Sequence, residues 1–249
     1  MKNLFVINKI RELLELFVER FRFNFIEDDR YLHIVKGLVN TLEVTVFALI
    51  IGVVLGVLVG IIRSSHDKSD RPGRTLRILN RICSLYLTVI RGTPVMIQLL
   101  IMYFGVMPLL MHGGASKLMV AVLTFGINSG AYVAEIIRSG IMSIDPGQSE
   151  ASRSLGLSFY QSMRYVILPQ AFKNVLPALA NEFITLLKET SICGYIGFAD
   201  LTRGGDIIRS ATFSPWMPLI AVALIYLAMV LVISTLVRKL ERRMRINER

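Results

Sequence analysis

Charged residues are scarce in this sequence. They make up 18% of its 249 residues, while hydrophobic residues make up 53%; a soluble domain has about 25% charged residues. The deficit excludes an ordinary soluble fold, because long stretches carry almost no charge. Thr41–Ile62 contains only Glu43, and Trp216–Val237 contains no charged residue. Each stretch is long enough for a helix to cross a bilayer core about 30 Å thick. The composition therefore predicts an all-α polytopic membrane protein.

Residues that usually carry catalysis or bind metals are also few. The sequence has two cysteines, so no disulfide framework is indicated. Its three histidines, His33, His66 and His112, are scattered without the spacing of metal ligands. No nucleophile–base set is recognisable, and the phosphate-binding motif G-x-x-x-x-G-K-[ST] is missing. We therefore expect no catalytic residue, no metal site and no cofactor in this chain.

The N-terminal residues alternate charged and apolar side chains instead of forming a cleavable signal peptide. Apolar residues recur there at helical spacing, at Val6, Ile10, Leu13, Leu14, Phe17 and Phe21. Glu12, Glu15, Glu19 and Arg20 interrupt any continuous apolar run. This pattern predicts an amphipathic helix that lies in the membrane interface. We accordingly divide the chain into an interfacial segment, residues 1–36, and a transmembrane domain, residues 37–249.

The transmembrane domain is predicted to cross the membrane five times. The predicted crossings are Thr41–Ile62, Pro94–Met111, Leu118–Ile137, Val175–Leu187 and Trp216–Val237. The fourth is interrupted by Glu182, which suggests that neighbouring helices shield it from lipid. The net charge of +10 comes mostly from basic residues between and beyond these runs, so retention near a membrane surface explains it better than nucleic-acid binding does. By the positive-inside rule, the C-terminus is expected in the cytoplasm.

The N-terminus conflicts with this orientation. The first 40 residues contain seven basic residues, yet five crossings place them outside the cell. A sixth crossing near the N-terminus would remove the conflict, but that region has no uncharged run of sufficient length. Five crossings are retained, and the side on which residues 1–36 lie stays open.

Glycines repeat every four residues in two of the predicted crossings. Gly52, Gly56 and Gly60 form one series, and Gly126 and Gly130 form the other. Glycine at this spacing lets helix backbones approach closely in a membrane. The repeats predict close helix packing and carry no information on function.

The connection between the third and fourth crossings, residues 138–173, contains residues that typically begin and end short helices. Asp145 is placed to cap a helix with Pro146 in its first turn, and Gln148 is placed to complete the cap. Gly156 is the residue type that ends a helix in a left-handed conformation. The run Ser158–Gln161 is a second capping box, and Pro169 is expected to limit the helix that follows. The pattern predicts two short helices joined at a tight angle.

This connection resembles the EAA loop of permeases from ATP-binding-cassette (ABC) importers. Glu150-Ala151-Ser152, Gly156 and Val166-Ile167-Leu168-Pro169 match its spacing, with Ser152 in place of the second alanine. Four further segments resemble the permeases for polar amino acids of the histidine, glutamine and arginine type. They are Gly37–Leu42, Arg91–Gln98, Ala131–Ile141 and the segment from Asn181-Glu182 to Ser191.

The resemblance implies the type I importer fold and a location in the bacterial cytoplasmic membrane. It implies two copies of a separate ATPase, which hold ATP and Mg, a second permease that is the same or a homologous chain, and an extracytoplasmic binding protein. The substrate is expected to be a polar amino acid. The residues that would couple the permease to its ATPase are Glu150, Ala151, Ser152, Gly156, Leu168 and Pro169.

Polar residues inside the predicted crossings are candidates for the substrate path. They are Asn128, Ser129, Asn181, Glu182 and Thr185. Glu182 could accept the ammonium group of an amino acid, while Asn128, Ser129 or Thr185 could donate to its carboxylate. The alternative is that these residues hydrogen-bond between helices. Glu135 and Arg138 are expected to form a structural ion pair, since they lie three apart on one helix face.

Two further residues have an expected role, and two other classes of protein remain as alternatives. Glu43 either extends to the membrane interface or favours cationic substrates, and Trp216 is expected to anchor the last crossing at the interface. An ion-coupled secondary transporter is the alternative function, although such proteins are built from internal repeats that are not recognisable here. A membrane-bound enzyme ranks third, given the missing catalytic residues.

Overall fold

The structure is a computed structural model that describes residues 2–69, 71–111 and 114–246. Within these ranges all regular secondary structure is helical, as predicted. The described α-helices are α1 Lys2–Phe21, α2 Tyr31–Asp67, α3 Arg74–Arg91, α4 Val95–Ile101, α5 Met107–Leu110, α6 Lys117–Met142, α7 Pro146–Ser154, α8 Phe159–Ser162, α9 Leu168–Glu189, α10 Leu201–Thr212 and α11 Met217–Ile246. Short π-helical or 3₁₀ segments lie at Arg22–Ile26, Glu27–Asp29, Met102–Val106, Met163–Ile167 and Thr190–Ile196. His112, one of the histidines considered above, lies outside the described residues.

Three of the described helices, α2, α6 and α11, are long and apolar enough to cross a membrane. α2 and α6 contain the first and third predicted crossings, and α11 contains all of the fifth except Trp216. The second predicted crossing falls on the segment Val95–Leu110, which contains α4 and α5. This segment is bent by 103° relative to α3, and the two together are long and apolar enough to count as one broken span. The fourth predicted crossing falls in α9, which is not among the helices that are apolar enough to cross a membrane. Its run is interrupted by Lys173 and Glu182, and it packs along α6.

Helix α3 is not among the predicted crossings, because it lies in the basic stretch between the first and second of them. Arg74, Arg77 and Arg81 lie in the N-terminal half of this helix. Cys83 and Leu87 are buried on one of its faces, and Leu87 packs with Ala131 and Ala134 of α6. The arginines masked this amphipathic pattern because a search for uncharged runs discards it.

The chain forms two compact units. One groups residues up to Leu42 with Ser191–Met229, and the other groups Glu43–Thr190 with the residues from Val230 onward. The proposed division at residues 36 and 37 stays a prediction, but α2 begins at Tyr31 and continues through that position.

In the larger unit, the glycine repeats pack α2 against α6, as the sequence predicted. A Cβ atom on Gly56 would lie 2.5 Å from Val133 Cβ, and one on Gly60 would lie 2.8 Å from Ile137 Cβ. From the opposite side, a Cβ atom on Gly126 would lie 2.8 Å from Ile51 Cβ. Non-bonded carbon atoms prefer about 3.5–4.0 Å, so the two helices are in backbone contact at these glycines.

In the smaller unit, polar contacts tie the N-terminal region to α10. Asn24 is fully buried, and its Oδ1 accepts a hydrogen bond from Thr212 Oγ1 at 2.8 Å. The Thr41 hydroxyl accepts from the Leu201 backbone N–H at 3.0 Å. Around these bonds, Phe25, Ile34, Leu201, Ile208 and Val222 form an apolar core. These contacts join residues more than 150 positions apart in the sequence, so no local pattern could predict them.

Asp200 caps the N-terminus of α10 and is fully buried. Its Oδ1 accepts a hydrogen bond from the Arg203 backbone N–H at 2.7 Å. Its Oδ2 has no hydrogen-bond partner among the described residues. Burial raises the pKa of this carboxyl from 3.8 to about 7, against a smaller opposing effect of the backbone N–H donors.

Candidate functional site: a capped loop and a charged cavity

The loop between α6 and α9 begins as the sequence predicted. Asp145 caps α7, with Pro146 in the first turn, and its Oδ1 accepts from the Gly147 backbone N–H at 2.7 Å. The prediction for Gln148 was wrong, because its Oε1 accepts from Gln170 Nε2 at 3.3 Å instead of completing the cap. The capping oxygen on Asp145 thus satisfies one of the N–H groups left free at the N-terminus of this short helix.

The turn after α7 depends on Gly156. This residue has φ +86°, in the left-handed region that glycine adopts without steric cost. The Leu157 N–H donates to Ser152 O at 3.2 Å and the Gly156 N–H to Arg153 O at 2.9 Å. This pair of bonds is the Schellman motif, which closes the C-terminus of a helix. Gly156 therefore sets the direction in which the chain leaves α7.

The second helix of the loop starts at the predicted capping box, but it is not short as predicted. The Ser158 side chain accepts from the Gln161 N–H, and the Gln161 side chain accepts from the Ser158 N–H. The prediction that Pro169 limits this helix was wrong. Helical structure continues from Phe159 to Glu189 through a π-helical turn at Met163–Ile167. In that turn the Leu168 N–H bonds to Met163 O, five residues back, and this wider spacing accommodates Pro169, which has no N–H to donate.

A hydrogen bond between the hydroxyls of Ser152 and Ser162 connects the two helices of the loop. Its hydroxyl lies 2.7 Å from Ser162 Oγ and donates to Ser149 O at 2.9 Å. Both serines are buried, with 3% and 2% of their surface exposed. Ser152 stands where the EAA pattern has an alanine, so this bond between hydroxyls is a departure of this chain from that pattern.

The outer surface of the loop exposes several large apolar or aromatic side chains. Leu155, Tyr160 and Tyr165 are 84%, 68% and 65% exposed. Glu150, Ala151 and Gly156 are also exposed, whereas Leu168 is at the margin of exposure and Ser152 is buried. A fixed surface that presents large apolar side chains together with a carboxylate is typical of a protein-docking site.

Three of the five candidate residues for the substrate path are buried in the larger unit. Ser129 Oγ donates to Glu182 Oε1 at 2.8 Å and thereby joins α6 to α9. Asn128 Nδ2 donates to Gln98 Oε1 at 3.0 Å. Asn181 is exposed and Thr185 is half-buried. The hydroxyl proton of Ser129 and one amide proton of Asn128 are thus engaged between helices in this structure.

A cavity of about 440 Å³ lies beside Glu182. Residues of α6 and α9 line it together with the last residue of α3, and Glu182 is the one candidate from the sequence among them. Other lining residues are Arg91, Tyr132, Glu135, Ser143 and Asn174. Sequence reasoning did not select them as a site because they come from three separate helices, although Arg91 and Glu135 both lie in segments that resemble the permeases.

The charges of this cavity are organised around Glu135. As predicted, Glu135 pairs with Arg138, at 2.6 Å between Oε1 and a guanidinium nitrogen. Arg91 lies 3.6 Å from the other carboxylate oxygen and sits over the Tyr132 ring, 5.7 Å from its centre. Arg138 also bonds to Asp67 at 3.2 Å. The cavity therefore presents one guanidinium, Arg91, and two carboxylates, Glu135 and Glu182.

The length and apolar composition of α2, α6 and α11 define an integral membrane protein. The sequence profile of the binding-protein-dependent transport system inner membrane component family matches residues 52–246. The chain belongs to this family of transport permease subunits.

Two curated relatives and one solved structure give the comparison detail. The chain is 40% identical to the arginine transport system permease protein ArtQ of Bacillus subtilis, over 86% of this chain and 94% of that protein. It is 43% identical to the glutamine transport system permease protein GlnP of Escherichia coli, over 68% of this chain and 77% of that protein. A crystal structure of an amino acid ABC transporter with histidines superposes with a TM-score of 0.78 and 45% identity, over 88% of this chain and 98% of that chain.

Proposed function

We propose that this chain lines the translocation path of an ABC importer for polar amino acids and is driven by a separate ATPase. The observation that carries the proposal is the capped loop from Asp145 to Gln161, which exposes Leu155 and Tyr160, in a chain that belongs to a family of binding-protein-dependent permeases. Support for the substrate class comes from relatives that are named for arginine and glutamine transport and from a similar transporter crystallised with histidines.

The loop is suited to transmit force because its geometry is fixed at three points. These points are the Asp145 cap, the left-handed Gly156 and the bond between Ser152 and Ser162. The exposed Glu150, Ala151 and Leu155 would contact the ATPase, and Leu168-Pro169 would pass its movement into α9. The bound ATP would then shift an existing equilibrium between two permease conformations.

The cavity beside Glu182 suits an amino acid in its charge pattern. An amino acid carries an ammonium and a carboxylate, and Arg91 together with the two glutamates offers a partner for each. We assign Glu182 to the ammonium or to a cationic side chain, because the Ser129 hydroxyl is the one hydrogen-bond partner of its carboxylate among the described residues, while Glu135 already pairs with arginine. Arg91 is assigned to the substrate carboxylate, for which a guanidinium is the best-matched donor.

The remaining partners follow from the same assignment. Two ATPase copies hold ATP and Mg, a second permease completes the path, and an extracytoplasmic binding protein delivers the substrate. The C-terminus lies in the cytoplasm, where the positive-inside rule places its basic residues. On this proposal the chain itself performs no catalysis.

Reconstitution tests this proposal. The permease is co-purified with its ATPase and binding protein, placed in proteoliposomes, and supplied with labelled arginine, glutamine or histidine. We expect ATP-dependent uptake of at least one of them, and a loss of about tenfold or more with Glu182→Gln. Arg209→Gln, in a different unit of the chain, serves as the matched surface control. Uptake by the permease alone, driven by an ion gradient, would establish the secondary-transporter alternative instead.

A further inference from the structure

The N-terminal helix α1 lies outside the segment that the family profile matches, which begins at residue 52. Its apolar side chains are exposed: Ile10, Leu14 and Val18, for example, are 52%, 59% and 62% exposed. A helix with charged residues on one side and such a surface on the other belongs in the membrane interface, with the apolar side toward lipid. The transport mechanism proposed above gives this helix no role.

The C-terminal half of α1 forms one wall of a groove, and the start of α11 forms the other. The groove has a volume of about 480 Å³, within the usual range for ligand pockets of about 300–1,000 Å³. Leu13, Phe17 and Phe21 line it from α1, and Ile220 and Leu224 line it from α11. Most of the side chains that line the groove are therefore apolar, and the groove is suited to bind an acyl chain.

Buried polar contacts hold the walls of the groove in place. Asn24 Nδ2 donates to Arg20 O at 2.8 Å and to Ser214 Oγ at 3.2 Å. Asn24 is itself fully buried and accepts from Thr212. These bonds link the end of α1 to the segment that leads into α11, so the groove is a built feature of this unit and not a chance contact of a loose helix.

One end of the groove has polar residues of the kinds that usually lie at the depth of lipid headgroups. Arg20 and Trp216 both line it, and Trp216 is 75% exposed. Tryptophan at the start of a membrane-spanning helix typically sits among lipid headgroups. The guanidinium of Arg20 has no carboxylate partner among the described residues, whereas Arg11 of the same helix pairs with Glu15 at 3.0 Å. Arg20 is thus an unpaired cation at the end of an apolar groove.

We propose that this groove binds a phospholipid with an anionic headgroup. One acyl chain lies against Leu13, Phe17 and Leu224, and the phosphate pairs with Arg20, whose planar guanidinium can donate two hydrogen bonds to it. An unpaired cation favours a lipid with net negative charge over a zwitterionic one. The bound lipid would hold α1 against α11 in the interface. This inference does not depend on the transport function.

Native mass spectrometry of the full purified chain tests the headgroup. Phosphatidylglycerol and phosphatidylethanolamine with identical acyl chains are titrated separately, and the Kd of the tightest site is measured. We expect phosphatidylglycerol to bind roughly fivefold more tightly, as one cation near a lipid headgroup provides. Arg20→Gln should abolish this preference, and Arg11→Gln should preserve it.

A second pair of variants tests the acyl groove. Leu13 and Leu14 are 58% and 59% exposed, but only Leu13 lines the groove. Leu13→Trp should fill the groove and weaken both lipids at least fivefold, while Leu14→Trp should leave both unchanged. If Arg20→Gln and Arg11→Gln gave the same lipid Kd values, and Leu13→Trp and Leu14→Trp did so too, the bound lipid would be non-specific annular lipid. That result would overturn the proposal. A chain dimer that forms in detergent and excludes lipid from the site would overturn it as well, since a second copy would then occupy the groove.

Discussion

The contact between α2 and α6 gives a stability prediction that can be worked out from the coordinates. Gly56→Ala places a methyl group 2.5 Å from Val133 Cβ and 2.9 Å from the Ala134 backbone nitrogen. Neither atom can move by rotation of a side chain. To restore contacts of about 3.5 Å, the two helices must separate by about 1 Å at this point.

That separation also disturbs the neighbouring contacts at Gly52 and Gly60. Overpacking of this kind destabilises a protein by about 1–3 kcal/mol. We therefore expect Gly56→Ala to lower the thermal unfolding midpoint of the purified permease, measured by tryptophan fluorescence or by a thiol-reactive dye in detergent. The intrinsic preference of helices for alanine acts in the opposite direction by about 1 kcal/mol, so a net loss requires the steric effect to dominate.

Gly105→Ala provides the matched control. A Cβ atom at Gly105, also within a membrane-spanning segment, meets nothing within 4 Å. Gly105→Ala should leave the midpoint unchanged or raise it. If Gly56→Ala and Gly105→Ala gave the same midpoint, the backbone contact between α2 and α6 would be disproved.

Two further predictions concern Asp200 and Gln98. The unfolded Asp200 carboxyl ionises near pH 3.8 and the folded one near pH 7, so folding stability falls as pH rises between these values and stays reduced above pH 7. Asp200→Asn keeps a capping side chain, and its stability advantage over wild type should grow from none at pH 3 to as much as about 4 kcal/mol at pH 8; an advantage independent of pH would contradict the raised pKa. Gln98 Nε2 donates to Ile90 O at 2.8 Å across the bend between α3 and α4, and Gln98 Oε1 accepts from Asn128. Gln98→Leu should destabilise the chain by about 2–3 kcal/mol, because the buried Asn128 Nδ2 donor loses its acceptor, Gln98 Oε1. An unchanged unfolding midpoint would show that this side chain does not hold the bend.

The features predicted correctly from the sequence are those encoded by neighbouring residues. Capping at Asp145 and Ser158 and the left-handed Gly156 each depend on a few adjacent positions. The glycines of α2 and α6 recur every four residues, which places them on one helix face. The pair Glu135 and Arg138 follows from a spacing of three. In each case the local geometry of a helix determines the contact.

The features that were missed depend on contacts between distant segments. Asn24 meets Thr212, and Arg91 meets Glu135, only after separate helices have packed. The amphipathic α3 was hidden by its arginines, since uncharged length was the criterion for a membrane helix. Pro169 was misjudged because a π-helical turn, which no residue pattern in this sequence announces, removes the clash that normally ends a helix at proline.

The loop between α6 and α9 is proposed to link ATP hydrolysis to transport, and Gly156 sets the direction in which the chain leaves its first helix. Gly156→Val forces a β-branched residue into φ +86°, where it is strongly disfavoured, although a Cβ atom at this position would meet nothing within 4 Å. Gly73→Val is the control, since Gly73 also has open space but a negative φ of −61°.

The most direct test measures ATP hydrolysis and amino-acid uptake together in proteoliposomes that contain the permease, its ATPase and its binding protein. Gly156→Val should reduce uptake at least tenfold and remove the stimulation of ATP hydrolysis by the loaded binding protein, while Gly73→Val retains both. Full uptake by Gly156→Val, with the ATPase still bound and stimulated, would contradict the assignment of this loop as the link between ATP hydrolysis and transport.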